Sequence, residues 1–367
     1  MLNNKSVSVV VPCYNEESQV VDKVIKSMPD FVDLIIVVND KSKDNTENIV
    51  KSYIDNDTNN IYNFTKNFLE YSENPYDTAE NILIDIRKEE EEYYISSSIY
   101  ESKSSKVVLI SHQENAGVGA AIASGYKYSR DYNIECTAVM AGDGQMDPME
   151  LKSICLPIVE NKVEYTKGNR LSHSSASRFI PKIRYIGNSV LSILTKVASG
   201  YWRISDTQTG YTAISLKALE SIDIYNIYRS YGMPNDLLVK LNIASFKIAE
   251  IPIKPVYHVG EESKMKISRV IPKVSWLLIK LFFERMIKKY LLKDFHPLFL
   301  LYMLAFLTFL INIPIGLKFW FFYFVYSDIA YGHLMIHMFL SAFSFQSFIF
   351  AMWFDMQDNE RLYDDRF

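Results

Sequence analysis

Two long stretches without charge constrain this chain more than any other feature of its sequence. Residues 297–317 and 334–354 contain no Asp, Glu, Lys or Arg, and each has the roughly 20 residues that a helix needs to cross a bilayer. Pro314 and His337 are tolerable inside spanning helices. A buried core helix is the alternative for either stretch. Two such lengths joined by a short loop nevertheless favour a two-helix transmembrane hairpin over residues 295–355.

A basic segment precedes the first uncharged stretch. Residues 264–294 carry many cations among apolar residues, and Glu284 is the single acid before Asp294. This composition is typical of amphipathic helices in the headgroup region of an anionic leaflet, with a helix packed on the preceding domain as the alternative. Cations are scarce in the loop between the two stretches, apart from Lys318. The asymmetry predicts a multi-pass membrane protein with residues 1–263 and the tail, residues 356–367, in the cytoplasm.

The overall composition excludes some classes of function. Lys and Arg total 39 against 43 Asp and Glu, a net charge of -4, which argues against a nucleic-acid partner bound through bulk charge. The three cysteines lack metal-ligand or CxxC spacing and are expected to be reduced and buried. The N-terminal residues lack the pattern of a signal peptide.

Apolar runs alternate with amphipathic segments through the first 263 residues. Residues 7–11, 34–38 and 107–110 are runs rich in Val, Ile and Leu, typical of strands buried on both faces of a parallel sheet. They predict an α/β, Rossmann-like domain. Residues 56–106 interrupt the rhythm and are interpreted as an inserted, mostly solvated excursion with one helix. Residues 247–256, with two prolines, are predicted to form an edge strand.

Polar residues follow several of these strands. Asn15 and Glu16 come after the first strand and Asp40 after the second, where open α/β sheets bind ligands. The alternative for Asn15 is a helix cap. Asn115 and Gly117 precede an Ala-rich helix, so backbone amides there could approach a phosphate, although close helix packing explains the glycine nearly as well.

The segment 139–148, VMAGDGQMDP, ends a further strand in a tight turn. Asp143 and Gln145 present a carboxylate and an amide oxygen two residues apart. Hard divalent cations prefer oxygen ligands, so the pair could hold Mg²⁺ or Mn²⁺ against a diphosphate. An ordinary Gly-Asp-Gly surface turn is the alternative.

Separated cations and acids fill the region after residue 165. Arg170 follows a short strand, Arg178 and Arg184 lead into a helix, and Asp206 lies in the segment SDTQTGY. Each arginine alone could be a surface cation. Several of them between acidic turns favour an anion site, because guanidinium groups match phosphate oxygens.

The chain carries, in this order, the motifs PCYNEE, VVNDKSKDNT, NAGVGAAIASGYKYS, GDGQMDP, GNR, SDTQTGY and GEESK. Together they resemble family 2 glycosyltransferases of the GT-A fold, and within that family the dolichyl-phosphate mannose synthases and bacterial polyprenyl-phosphate glycosyltransferases. The resemblance covers nearly all of the first 270 residues except the excursion. A membrane hairpin after a GT-A catalytic domain also fits this group.

The resemblance implies roles at matching positions. Nucleotide-binding residues are implied at Pro12, Tyr14, Asn15, Glu16 and Asp40. Asn115 and Gly117 in the loop before the Ala-rich helix are expected to bind the nucleotide as well. Asp143 and Gln145 match the metal-bearing part of a DxD-like motif, and Ala141 stands where the family has its first Asp.

Further roles concern charge at the reacting groups. Arg170 and Arg184 match cations that face donor or acceptor phosphates, and Asp206 matches an acid near the transferred sugar, so these three are the expected catalytic residues. Lys264 is expected to supply, at the acceptor phosphate, a charge that some relatives place just before the GEESK segment.

The resemblance implies inverting transfer of a hexose from UDP- or GDP-hexose to a polyprenyl phosphate, undecaprenyl or dolichyl, with Mg²⁺ or Mn²⁺ as cofactor. A glycan or glycolipid acceptor is the first alternative. A catalytically silent membrane nucleotide-binding protein is the second, motivated by Ala141 and the excursion. A dehydrogenase is disfavoured, because no GxGxxG follows the first strand. A homo-oligomer is compatible with the sequence.

Overall fold

The computed structural model of the chain describes residues 1–57, 64–67, 70–172, 182–255, 267–326 and 330–366, with the backbone alone for residues 182–190 and 267–271. The strands are β1 (Val7–Cys13), β2 (Leu34–Asn39), β3 (Ser97–Glu101), β4 (Val107–His112), β5 (Cys136–Val139), β6 (Tyr165–Asn169), β7 (Thr212–Ser215), β8 (Ile248–Pro252) and β9 (Tyr363–Asp364). In the described part of the chain they form one mixed sheet in the order β3-β4-β2-β1-β5-β7-β6-β8-β9.

The α-helices are α1 (Thr46–Asn56), α2 (Thr78–Glu90), α3 (Val118–Asp131), α4 (Leu151–Val159), α5 (Lys182–Ser199), α6 (Leu216–Ser221), α7 (Met233–Ile243), α8 (Ile267–Ile287), α9 (Pro297–Tyr326) and α10 (Tyr331–Asn359). Shorter π-helical turns cover Val20–Ile25 and Lys288–Lys293, and 3₁₀ turns cover Pro75–Asp77, Glu91–Tyr93, Pro148–Glu150, Ile224–Asn226 and Glu360–Leu362.

Strands β4, β2, β1 and β5 form the parallel half of the sheet. Val9 of β1 pairs with Ile35 on one side and Ala138 on the other. Val9 and Val11 pack into the core on one face and Val10 into the core on the other, which confirms the parallel, doubly covered sheet predicted from the apolar runs. The loops after these strands therefore meet at one edge.

The other half of the sheet corrects one prediction. β7 runs antiparallel to β5 and β6, whereas β8 is parallel to β6. Residues 247–256 were predicted to form an edge strand, and this is wrong, because Ile248 and Ala249 also pair with Tyr363 and Asp364 of β9. The pairing strand comes from the end of the chain, after both long apolar helices, where no local pattern signals it.

The described part of the excursion holds more structure than the one expected helix. α2 buries Ile84 and leaves Ile82 and Leu83 about half exposed. β3 adds to the sheet edge by antiparallel pairing with β4, and all five of its residues are exposed. A strand that is solvent-exposed on both faces lacks an apolar pattern, so sequence periodicity could not predict it.

The two long C-terminal helices α9 and α10 pack on each other. Within the described residues they are the helices long and apolar enough to cross a membrane. Only 22% and 17% of their most apolar windows are buried inside the molecule, whereas a core helix of a soluble protein is mostly buried. Asn312 donates to the Ser341 hydroxyl at 2.8 Å and contacts His337 at 2.9 Å, so polar bonds join the pair.

Helix α8 has two different faces. Val274 and Leu278 are buried against Ala198 of α5, whereas the side chains of Trp276 and Ile279 are 71% and 50% exposed.

The cysteines Cys13, Cys136 and Cys155, elsewhere in the fold, are buried and free as predicted.

Candidate active site

The ends of β1, β2 and β5 approach each other closely. The Asp40 amide donates to the Cys13 carbonyl at 3.0 Å, and the Gly142 amide contacts the Pro12 carbonyl at 3.3 Å. A methyl group on Gly142 would lie 2.6 Å from the Cys13 sulfur, so only glycine allows this approach. The loops that carry Asn15, Asp40 and Asp143 therefore emerge side by side.

Asp40 holds the loop after β4. Its buried carboxylate contacts His112 Nδ1 at 2.9 Å and accepts the amides of Ala116 and Gly117 at 2.9 and 2.7 Å. Burial would raise the pKa of Asp40, but these bonds outweigh it and the pKa lies below its ordinary value. Asn115 donates to the Asp40 carbonyl at 3.0 Å. In this structure Asp40 thus shapes the loop, while its contact with a nucleotide remains a prediction.

The loop after β1 is fixed to the loop after β2. Asn15, with a φ of +57°, accepts the Lys43 amide on its side-chain oxygen at 2.8 Å and donates its own amide to Ser42. The Glu16 amide donates to the Thr46 hydroxyl at 3.0 Å. Asn15 therefore bonds across to a neighbouring loop rather than to the helical turn that follows it.

Gly117 is required by the shape of this edge. Its φ is +94°, and an added methyl would lie 2.4 Å from the Arg229 carbonyl oxygen. We expect Gly117→Ala to destabilise the protein by about 1–3 kcal/mol and to weaken nucleotide binding, because the amides held by Asp40 must move. Thermal unfolding and calorimetric titration with nucleotide measure the two effects. Gly332→Ala is the matched control, since its methyl would meet no atom within 4 Å; equal effects of both changes would contradict the prediction.

The turn at Asp143 and Gln145 presents oxygen atoms. Asp143 accepts the Gln145 amide on one carboxylate oxygen at 3.0 Å, and Gly144 between them has a φ of +69°. The side-chain oxygen of Gln19 lies 3.3 Å from where a Gly144 methyl would stand. That oxygen is buried and has no hydrogen-bond partner within the described chain. A carboxylate, an amide oxygen and a nearby unpaired oxygen fit a hard divalent cation.

Several carboxylates near this turn place negative charge close to Cys13. Burial raises the pKa of the Cys13 thiol, and the carboxylates of Glu16, Asp143 and Asp44 raise it further. Clusters of three or more His, Cys, Asp or Glu side chains placed to hold a metal do not occur among the described residues. A cation here would therefore take most of its remaining ligands from water or a bound diphosphate.

Arg170 and Asp206 form a buried ion pair. Arg170 Nε and Nη2 donate to the two carboxylate oxygens at 2.8 and 3.0 Å. Asp206 is 2% exposed, whereas the Arg170 side chain is 27% exposed. Burial would raise the pKa of Asp206, but the guanidinium lowers it below its ordinary value. The pair thus presents its cation toward solvent and keeps its anion inside.

Two charged residues behind this pair were missed by the sequence analysis. Burial lowers the pKa of Lys167 to about 8, and its ammonium donates to the Thr209 carbonyl. Glu250 accepts the amides of Ser205 and Asp206, both at 2.9 Å, and burial raises its pKa. The available signal was a single charge inside each of the short strands YTKGN and IAEIP.

The Asp143 turn and the Arg170–Asp206 pair share one edge of the sheet. Tyr211 OH donates to the Asp147 carbonyl at 2.9 Å, and a methyl on Gly210 would meet Met146 at 3.6 Å, so the two loops touch. Lys264 and the side chain of Arg184, both predicted at the acceptor phosphate, lie outside what the structure describes.

The oxygen atoms of the Asp143 turn on one side of this edge and the Arg170 guanidinium on the other suit a nucleotide diphosphate bound with a metal ion. With the GT-A-type sheet around them, they place the protein among the nucleotide-sugar-dependent glycosyltransferases. More specifically, the chain belongs to glycosyl transferase family 2, whose family model matches residues 8–71 and 56–223.

Relatives of known name agree with this family. A UDP-N-acetylglucosamine–dolichyl-phosphate N-acetylglucosaminyltransferase of Methanococcus voltae is 26% identical over 254 residues, 69% of this chain and 87% of the relative. A dolichyl-phosphate β-glucosyltransferase of Trichomonas vaginalis is 25% identical over 284 residues, 72% of this chain and 69% of the relative. The protein is therefore a family 2 glycosyltransferase related to dolichyl-phosphate sugar transferases.

Among solved structures, the glucosyl-3-phosphoglycerate synthase of Mycobacterium tuberculosis in complex with Mn²⁺, UDP and phosphoglyceric acid is 16% identical. The match has a TM-score of 0.47 and covers 77% of this chain and 78% of that one.

Proposed function

We propose that the protein transfers a hexose, or its N-acetylated amino form, from a nucleotide diphosphate sugar to a polyprenyl phosphate at a membrane surface. The observation that carries this proposal is the shared edge, where the oxygen-lined Asp143 turn meets the Arg170–Asp206 pair. Dolichyl phosphate appears in the names of both relatives, which supports the same class of acceptor.

A divalent cation would be held by Asp143 and Gln145. When bound, such an ion stabilises the negative charge that grows on a departing nucleoside diphosphate. The Ala116, Gly117 and Gly119 amides already donate to Asp40 and to the Arg229 carbonyl, so this loop would shape the wall of the nucleotide site rather than bind its phosphates. Arg170 would add a fixed positive charge, oriented in advance by its two bonds to Asp206.

The state of Asp206 favours a phosphate acceptor over an alcohol. Both of its oxygens accept bonds from Arg170, and its pKa is lowered, so it is a weak general base near neutral pH. A lipid phosphate is already ionised there and needs orientation rather than deprotonation. A glycan hydroxyl would need a base that this pair does not provide.

An apolar cavity of about 450 Å³ lies between α8 and the two long helices. Aromatic side chains dominate its lining, among them Phe282, Phe283, Tyr302, Phe306, Phe309 and Phe345. A cavity of this chemistry suits the isoprenoid chain of the proposed acceptor. Strand β9 pairs with β8 after both long helices, so the tail lies on the same side of the membrane as the catalytic domain, as the proposed cytoplasmic placement of both requires.

The test is transfer by the purified full chain in detergent. Labelled UDP-glucose, UDP-N-acetylglucosamine and GDP-mannose are each supplied with Mn²⁺ or Mg²⁺ and with polyprenyl phosphate or, in parallel, with a glycan or glycolipid acceptor. We expect one donor to give an organic-extractable product that mild acid cleaves. Polyprenol without phosphate is the matched control and should give no product. Label that enters only a glycan or glycolipid acceptor would contradict the proposal.

A further inference from the structure

Two oppositely charged side chains are completely buried where the long helices meet the catalytic domain. Arg285 of α8 and Asp355 of α10 are both 0% exposed. Arg285 Nη1 and Nη2 donate to the two Asp355 oxygens at 2.7 and 2.8 Å. A bidentate guanidinium–carboxylate pair has a defined geometry. Because this pair is shielded from solvent, it holds α8 and α10 in one relative position.

The same arginine also binds the end of α5. Arg285 Nε donates to the Ala198 carbonyl at 2.9 Å, and Nη2 donates to the Val197 carbonyl at 3.0 Å. Gly200, with a φ of +76°, leaves the necessary room, because a methyl there would lie 2.4 Å from Arg285 Nη1. The last carbonyls of a helix need partners and attract cations. Arg285 thus connects the C-terminal end of α10 to the C-terminal end of α5.

A second buried cation connects α10 to α7. Lys289 donates to the side-chain oxygens of Asn242 and Asn359 at 2.9 and 2.7 Å, and Asn242 donates to Asn359 at 2.8 Å. Burial, followed by the charge of Arg285, lowers the pKa of Lys289 to about 8. Satisfied buried networks of this kind select one arrangement of the elements that carry them.

An earlier turn of α5 contacts the loop that carries Asp206. Ser192 donates to the Ser205 carbonyl at 3.1 Å and lies 3.2 Å from the Thr207 hydroxyl. Thr195 donates to the Asn235 side chain at 3.2 Å, and Gln208 donates to the same oxygen at 3.3 Å. These contacts and the carbonyls bound by Arg285 are less than two helical turns apart.

We infer that Arg285 and Asp355 are positioning residues for sugar transfer, acting through α5 on the loop that holds Asp206. On this view the hairpin is part of the scaffold of the active site and more than an anchor. An anchor alone would not need a desolvated ion pair aligned with the end of α5. The inference rests on the proposed function for its catalytic readout, and a structural readout tests it separately.

The first test uses Asp355→Asn in the full chain in detergent, with a water-soluble short-chain prenyl phosphate as acceptor. Membrane anchoring cannot limit the rate in this assay. We expect kcat to fall by about 10- to 100-fold, since small misplacements of reacting groups cost this much, with little change in KM for the nucleotide sugar. Glu284→Gln is the matched control on the same helix, because it breaks the part-exposed pair with Lys288, and it should keep wild-type kcat.

Hydrogen exchange supplies the readout that does not depend on activity. The amides of Ser205, Asp206 and Gln208 donate to buried carboxylates, and we expect them to exchange faster in Asp355→Asn, with β1 and β2 unchanged. Unchanged exchange in a folded variant would overturn the inference even if the wild-type protein transferred no sugar. Absent transfer with faster exchange would instead count against the proposed function alone.

A double variant separates positioning from stability. Arg285→Met with Asp355→Leu replaces the buried pair by apolar side chains, which commonly restores stability, but it leaves the Val197 and Ala198 carbonyls without the guanidinium. We expect the melting temperature to recover while kcat stays low. Recovery of kcat together with the melting temperature would show that the pair only stabilises the fold, and the inference would be wrong.

Discussion

Asp143→Ala is expected to lower kcat for sugar transfer by at least about 100-fold, the size of effect seen when a group that stabilises transition-state charge is removed. Asp143 is the carboxylate at the tip of the turn, and Ala141 leaves the position two residues earlier without one. Losing Asp143 would leave amide oxygens to hold the cation. We expect the remaining activity to need far more Mn²⁺ than the wild type, measured by titrating the metal in the transfer assay.

Two asparagine variants test whether the charge of Asp143 is what activity requires. Asp143→Asn keeps an oxygen that can accept the Gln145 amide but removes the charge, so it should lose activity while its melting temperature stays near wild type. Asp147→Asn is the control, because Asp147 accepts the Met149 amide at 2.9 Å and an asparagine oxygen can do the same. Wild-type kcat and unchanged metal dependence in Asp143→Asn would contradict the assigned role.

We expect the second large effect from Asp206→Asn. Removing one partner of a buried pair leaves the other charge uncompensated, and we expect a loss of about 3 kcal/mol of stability, the lower end for such pairs because Arg170 is partly exposed. We also expect kcat to fall by about 100-fold as the guanidinium loses its orientation. Denaturant unfolding and steady-state kinetics measure the two changes.

The pH dependence of unfolding provides a check on the same variant. The pKa of Asp206 is lower in the folded protein than its ordinary value of 3.8. Its contribution is therefore present above pH 3.8 and is lost as the pH falls through the folded pKa. We expect the wild type, and not Asp206→Asn, to lose this part of its stability in acid.

An exposed pair serves as the control for Asp206→Asn. Asp365→Asn breaks the bond to Arg203, in which the two side chains are 69% and 46% exposed, and should change stability by less than about 1 kcal/mol. If the two asparagine variants lost equal stability, the buried pair would have no special role.

Local patterns predicted most of the parallel sheet. The apolar runs at residues 7–11, 34–38 and 107–110 became β1, β2 and β4, because a strand buried on both faces needs an unbroken apolar sequence. Two of the strands that were missed have identifiable causes. β3 is fully exposed, and β9 is two residues long and pairs with a strand far earlier in the chain.

The candidate site was only partly visible in the sequence. Residues that follow predicted strands, such as Asp40 and Asp143, were found because the ends of parallel strands meet. What each one bonds to was not predictable, and Asp40 turned out to hold the loop of Gly117. Lys167 and Glu250 were missed, because a charge inside a strand reveals its role only when its partners are known.

The amino-acid sequence by itself determined the family motifs, the positions of the main parallel strands along the chain and the two helices able to cross a membrane, because each depends on composition or periodicity over a short segment. Only the tertiary structure decided which charges are buried. Arg285 belongs to a segment whose composition is typical of a headgroup-binding helix, yet it is fully buried against Asp355, 70 residues later. Burial and ion pairing depend on residues that the fold brings together, and no local pattern records them.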